Sequence, residues 1–185
     1  MPRPYLSPEL RKFVAQRADC LCEYCLISET DRPSGCQVDH IISLKHGGET
    51  REENLAYSCL YCNLNKGSDL GSIIWRTGEL VRFFNPRRDK WSDHFRLQGA
   101  NIQPLTDIGQ VTERIFQFNQ SDRILERELL INVNRYPSPS AWQRIATFVT
   151  QSRSASFIAS FSVRDPDSTG MTRAPRSFMR PTFGA

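Results

Sequence analysis

The sequence predicts a small α+β fold stapled by zinc, and three observations carry that prediction. Cys22-x-x-Cys25 and Cys59-x-x-Cys62 supply two chelating pairs, "CQVDHII" between them is rich in β-branched residues, and "CLYCNLNKGS" reads as the first turns of a helix that begins at the second pair. Four thiolates in two pairs suit the tetrahedral, soft-ligand preference of structural zinc. The interval between the pairs is longer than in a simple zinc ribbon, so a strand-bearing insertion must fold between them. A knuckle, a hairpin and a helix that donates the last ligands follow. The competing reading is a pair of redox motifs or buried free thiols. Cys20 and Cys36 are left over and read as small buried hydrophobes.

Along the chain, Ser7-Pro8-Glu9 is a helix start, and Leu10, Phe13 and Val14 give the apolar stripe of a short helix ending near Asp19. Asp31, Pro33 and Gly35 before the strand and Gly47-Gly48 after it mark loops. "IIWRTGELVRFF" reads as a hairpin about Thr77-Gly78, and "HFRLQGANIQPL" as a second about Gln98-Gly99. Thr106 and Ser121 are candidate N-caps for helices over residues 107–118 and 122–133. Beyond Pro137 the composition turns to Ser, Arg, Thr and Pro. "SAWQRIATFV" has room for a helical turn or two, and disorder is expected from Gln151 on.

With 185 residues and 39% hydrophobic content, one main domain is expected. No apolar run is long enough for a membrane helix, and the first ten residues lack the apolar middle of a signal peptide, so a soluble, cytoplasmic protein without membrane contact is expected. The formal charge is +4, but 18 basic residues face 18 acidic ones up to Tyr136, and the excess sits in the last segment. Attraction to nucleic acid depends on where charge clusters, so the total carries little. One cluster is "VRFFNPRRDKW", with Arg82, Arg87, Arg88 and Lys90 around Phe83, Phe84 and Trp91. Taken alone it reads as a solvated face over core aromatics; the alternative is a phosphate-binding strip.

"CEYC", "VDHIISLKHGG", "ENLAYSC" and "CNLNKG", in that order, resemble an HNH endonuclease of the zinc-containing kind over about residues 5 to 70, and "FFNPRRDKWSDHF" through "PLTDIGQVTERI" resembles the extension of many bacterial HNH proteins. Composition alone marks residues 137–185 as a mostly disordered tail, while the resemblance implies a ββα-metal, treble-clef-like zinc core at residues 1–70 and a hairpin and helical extension at residues 71–136 packed on it. It implies that His40 is the general base on the attacking water. It also implies that Asp39 binds a divalent metal together with Asn63, and that Asn54 holds the loop that positions His40 without touching metal. Many members carry His where this chain has Asn63, which makes it an HNN variant. The expected cofactors are structural Zn²⁺ on Cys22, Cys25, Cys59 and Cys62 and catalytic Mg²⁺ or Mn²⁺. The expected partner is DNA, cut to 5′-phosphate and 3′-hydroxyl ends.

The same assignment has a physical basis. A phosphodiester repels nucleophiles, so a catalyst needs positive charge at the phosphate and a base for water. Asp39 and Asn63 are hard oxygen donors, and His titrates near neutrality. Adjacent strand residues point to opposite faces, so Asp39 and His40 serve one phosphate only if the strand twists or bulges there. Lys66, Arg87, Arg88 and Lys90 are the candidate nucleic-acid contacts. The competing reading of Lys66 is a solvated helix face, and that of the Asp39-His40 pair is a core histidine beside a salt-bridge residue. His46 reads as a loop residue or phosphate contact, and His94 as a packing or capping residue. The alternative function is a zinc-stabilised nucleic-acid-binding module without cleavage.

Overall fold

The computed structural model describes residues 6–146, and the disorder expected from Gln151 on lies outside them. Helix α1 (Pro8–Arg17) opens with Ser7 Oγ accepting from Leu10 N at 3.2 Å and Pro8 at the first helical position. Its buried stripe is not the expected one. Val14 and Ala18 are buried with Leu10 beside them, a spacing of four that lays one face of the helix on Leu55 and Tyr57. Phe13 falls outside that face and is exposed, with the Arg17 guanidinium 5.3 Å from its ring centre.

The knuckle follows at once, closed by Cys22 N donating to Ile27 O at 2.8 Å and Leu26 N to Cys22 O at 2.9 Å. Strand β1 (Cys36–His40) then pairs antiparallel with β2 (Leu55–Cys59), Cys36 opposite Cys59 and His40 opposite Leu55. The register is unbroken to His40, so of the twist or bulge required at Asp39-His40 no bulge is present, and Ile41 N still donates across the hairpin to Asn54 O at 2.8 Å. β2 is buried along its length and runs straight into α2 (Leu60–Lys66), with Cys59 at the N-cap. Strand, strand and helix thus stand in the expected order.

The extension is built from two hairpins, β3 (Gly71–Ile73) with β4 (Leu80–Arg82) and β5 (Phe95–Gln98) with β6 (Asn101–Pro104). Single-turn helix α3 (Trp91–His94) lies between them. The second turn sits one residue later than expected, at Gly99-Ala100, because Gly99 is the residue that takes the left-handed φ of +58°. Helix α4 (Asp107–Phe116) is capped by Thr106, whose Oγ1 accepts from Gly109 N at 3.1 Å. Helix α5 (Ser121–Asn132) has Gln120, not Ser121, at its N-cap, so Ser121 is the first helical residue. Helix α6 (Pro139–Ala146) buries Ala141 in the core, and Arg144 binds Asp19 Oδ2 at 3.0 Å. The ordered fold therefore runs past Pro137, where the tail was expected to begin, because Ala141 and Ile145 still pack on the core.

A main core joins the knuckle to the extension, while α1 packs on Leu55 and Tyr57 in a smaller cluster of its own. Tyr24 of the knuckle packs on Phe116 at 4.8 Å between ring centres, Phe116 on Phe83 at 5.3 Å and on Phe118 at 5.7 Å, and Phe118 on Phe95 at 5.7 Å. Trp91 Nε1 donates to Tyr24 O at 2.8 Å. The aromatics of "VRFFNPRRDKW" thus belong to the core. Arg123 and Arg127 of α5, both buried, donate to the Phe116, Gln117 and Phe118 carbonyls that end α4. No helix among the described residues is long and apolar enough to cross a membrane.

Candidate functional site

The four cysteine sulfurs of Cys22, Cys25, Cys59 and Cys62 are buried and lie within 4.8 Å of one another. Cys25 Sγ and Cys59 Sγ are 3.8 Å apart, and a tetrahedron with metal–sulfur bonds of about 2.3 Å has an edge of about 3.8 Å. The cluster could hold a zinc ion, and separate redox motifs are a poor account of four thiols sharing one centre. Cys20 is exposed, contrary to expectation, because the turn after α1 carries it outward; Cys36 is half-buried at the edge of the core.

The electrostatics around the cluster complete the fit. Burial pushes the Cys22 and Cys62 thiols up, so four thiolates need compensating positive charge. Arg123 Nη2 donates to Cys62 Sγ at 3.3 Å. Burial works against its charge, but Cys62, Cys25 and Cys59 outweigh that and hold the guanidinium above its ordinary value. Arg32, also buried, pairs with Glu126 at 2.9 Å and lies 4.7 Å from the centre of the Tyr61 ring. Neither arginine was singled out from the sequence. A lone Arg, whether in a loop as Arg32 is or in a helix as Arg123 is, gives no sign in the sequence that it turns inward.

A second feature runs along β1 between α1 and α2. A cleft of about 870 Å³ is lined by Asp39 and His40 from β1, Asn63 from the first turn of α2, and Arg11 and Lys12 from α1. Three of the expected residues are thereby brought to one surface without a bulge. Asn63 Nδ2 donates to Gln37 Oε1 at 3.5 Å, across the gap between helix and strand. His40 Nε2 lies 2.9 Å from Thr50 Oγ1. Burial holds the His40 imidazole below its ordinary value, with Asp39 pulling the other way and Lys66 adding to the depression. Burial raises the Asp39 carboxyl, against the pull of Lys66.

Asn54 is buried and stands outside this cleft. Its Oδ1 accepts from Ile42 N at 2.8 Å, and its Nδ2 donates to Ile42 O and Glu49 O at 2.9 Å each. The loop between the strands is folded around this one amide. Gly48 is required there, because a Cβ would collide with the Ile42 carbonyl and crowd Asn54 Nδ2, and Gly47 takes a left-handed φ of +77°.

Lys66 occupies neither of the places the sequence offered it. Its side chain is 2% exposed, and Nζ donates to His40 O at 2.8 Å and lies 3.0 Å from Asp39 Oδ2. It is an internal counter-ion. The basic strip is also divided. Arg87 is ion-paired with buried Glu23, whose other oxygen accepts from Tyr57 N at 2.9 Å. Arg88 lines a different cleft of about 680 Å³, where arginines face Glu49, Glu52 and Glu53, and Lys90 lines a third beside Trp91. The strip and the Asp39-His40-Asn63 set do not share a surface. His46 is an exposed loop residue on the Arg88 cleft, and His94 Nδ1 bonds Thr106 Oγ1 at 2.6 Å.

Compared with protein-family models, residues 22–69 match the family described as HNH endonuclease. The matched interval starts on the first cysteine of the cluster and takes in Asp39, His40, Asn54 and Asn63. No curated protein and no solved structure matches the chain.

Proposed function

We propose that the chain is a metal-dependent HNH endonuclease that hydrolyses DNA phosphodiester bonds, on a ββα-metal core braced by zinc. The observation that carries this reading is the convergence of Asp39, His40 and Asn63 on one cleft beside a four-cysteine cluster, within the interval that matches the family. The donor set suits Mg²⁺ or Mn²⁺, since both residues offer hard oxygens. Asp39 Oδ2 is buried against Lys66 Nζ at 3.0 Å, which leaves Oδ1 as the carboxylate oxygen that a divalent ion would take. A divalent ion bound there supplies positive charge at the scissile phosphate and at the departing oxygen.

The residues of the chain then divide the work. His40 takes the proton of the attacking water, a role that its burial favours by keeping the ring neutral near pH 7. Asp39 and Asn63 hold the ion from strand and helix. Asn54 fixes the loop and touches neither water nor metal. Arg11 and Lys12 seat the neighbouring phosphates: both are exposed, and among the described lining residues Asp39 is the only carboxylate.

The test is cleavage of supercoiled plasmid with Mg²⁺ or Mn²⁺, comparing the wild type with His40→Ala, Asp39→Ala and Asn63→Ala. The expected result is loss of cleavage in all three with zinc content and most DNA affinity kept. A wild type that binds DNA but leaves every plasmid supercoiled marks a binding module without cleavage.

A further inference from the structure

We infer that Thr50 is a positioning residue that holds His40 as the Nε2–H tautomer and presents Nδ1 to the cleft as the proton acceptor. The inference rests on the nuclease reading for the direction of the Nε2–Thr50 bond and for what Nδ1 accepts; the contact itself is independent of that reading. His40 Nε2 lies 2.9 Å from Thr50 Oγ1, and among the described residues Nδ1 has no hydrogen-bond partner. An imidazole base must offer an unprotonated nitrogen to water, and the nitrogen engaged by the threonine hydroxyl is not the one open to it. A neutral ring carries one N–H. If that proton sits on Nε2 and is accepted by Thr50 Oγ1, the lone pair at Nδ1 is free for catalysis.

Thr50 is itself held in place. Asn54 Nδ2 donates to Glu49 O, the carbonyl of the peptide that leads into Thr50, at 2.9 Å. The same amide grips Ile42 on both its backbone N–H and C=O, two residues after His40. Asn54 therefore fixes both ends of a closed path: Ile42 beside the histidine and Glu49 beside the threonine. Thr50 completes that path onto the ring. This gives the loop-holding role of Asn54 a definite output, a histidine of set rotamer and tautomer.

The test uses zinc-loaded full-length protein carrying isotopically labelled histidine, read by magnetic resonance above the imidazole pKa without added Mg²⁺. The chain has three histidines, so His40→Gln assigns the signal. The expected result is an Nε2–H signature in the wild type, a mixed or reversed one in Thr50→Val, and restoration in Thr50→Ser. In plasmid cleavage, Thr50→Val is expected to lower kcat by roughly 10- to 100-fold at little-changed KM, as for other supporting residues, and Thr50→Ser to recover most of it. An Nδ1–H wild type overturns the inference, as does a Thr50→Val protein with wild-type tautomer and kcat. Should the tautomer respond as expected while no form of the protein cuts DNA, the positioning stands and it is the nuclease reading that fails.

Discussion

Lys66 Nζ lies 3.0 Å from Asp39 Oδ2 and donates to His40 O at 2.8 Å, so one buried ammonium ties the last turn of α2 to the strand end that carries Asp39 and His40. Removing it leaves a half-buried carboxylate and a carbonyl without their partner. Breaking a buried pair from one side costs roughly 3 kcal/mol or more. Lys66→Met is therefore expected to lower the urea midpoint by an amount equivalent to about 3 kcal/mol and to abolish cleavage through displacement of Asp39. A stable Lys66→Met protein whose DNA affinity falls with a flatter salt dependence would instead place Lys66 on the phosphate, as the sequence suggested.

The cysteine cluster predicts coupled loss of metal and fold. Binding free energy at such a site is largely folding free energy. Cys59→Ala is expected to bind no zinc and to lose its circular dichroism signal at ambient temperature. Arg123→Ala keeps every thiol but removes the cation 3.3 Å from Cys62 Sγ, so weaker zinc retention against a chelator is expected with an intact ligand set. Full zinc content and activity in Cys59→Ala would refute the four-thiolate assignment.

The cationic wall of the cleft predicts where DNA affinity resides. Each phosphate contact contributes about 0.9 to the slope of log affinity against log salt. Arg11→Gln with Lys12→Gln is expected to flatten that slope by up to about 1.8 in fluorescence anisotropy with a labelled duplex. Arg96→Gln, a surface change on β5 outside the cleft, serves as the control and is expected to change little. Equal losses in both would show that affinity is spread over the surface.

The four-cysteine cluster, the hairpin and the helix start were legible in the sequence because each has a short-range cause: chelating spacing, β-branched run, cysteine at a helix cap. Asn54 was singled out only through its resemblance to a family, since nothing in "EENLAY" shows that the amide turns inward to Ile42 and Glu49. Lys66 and Arg87 were misplaced for one reason. A basic side chain in a helix or a turn looks solvated from its neighbours in sequence, and the acids that draw them inward, Asp39 and Glu23, lie 27 and 64 positions away. Arg11 and Lys12 were passed over because the polar face of α1 resembles any other until the fold sets it against β1.

The site also predicts a pH profile. A general base works only while unprotonated, so the log of the single-turnover rate rises with pH and levels off above the pKa of His40. Burial holds that value below the ordinary 6.5, which means the neutral form persists to lower pH than in a free histidine and the plateau begins earlier. A bound cation pushes in the same direction and the scissile phosphate in the opposite one. The expected profile has an acid limb followed by a plateau, with the lowered His40 value moving the bend to lower pH than an unperturbed histidine would give. His40→Ala is expected to lose that limb together with most of the rate, and added imidazole to restore a little of both by filling the vacated space. A wild-type rate that is flat across the whole acid range, with chemistry shown to limit turnover, would remove His40 from the role of base.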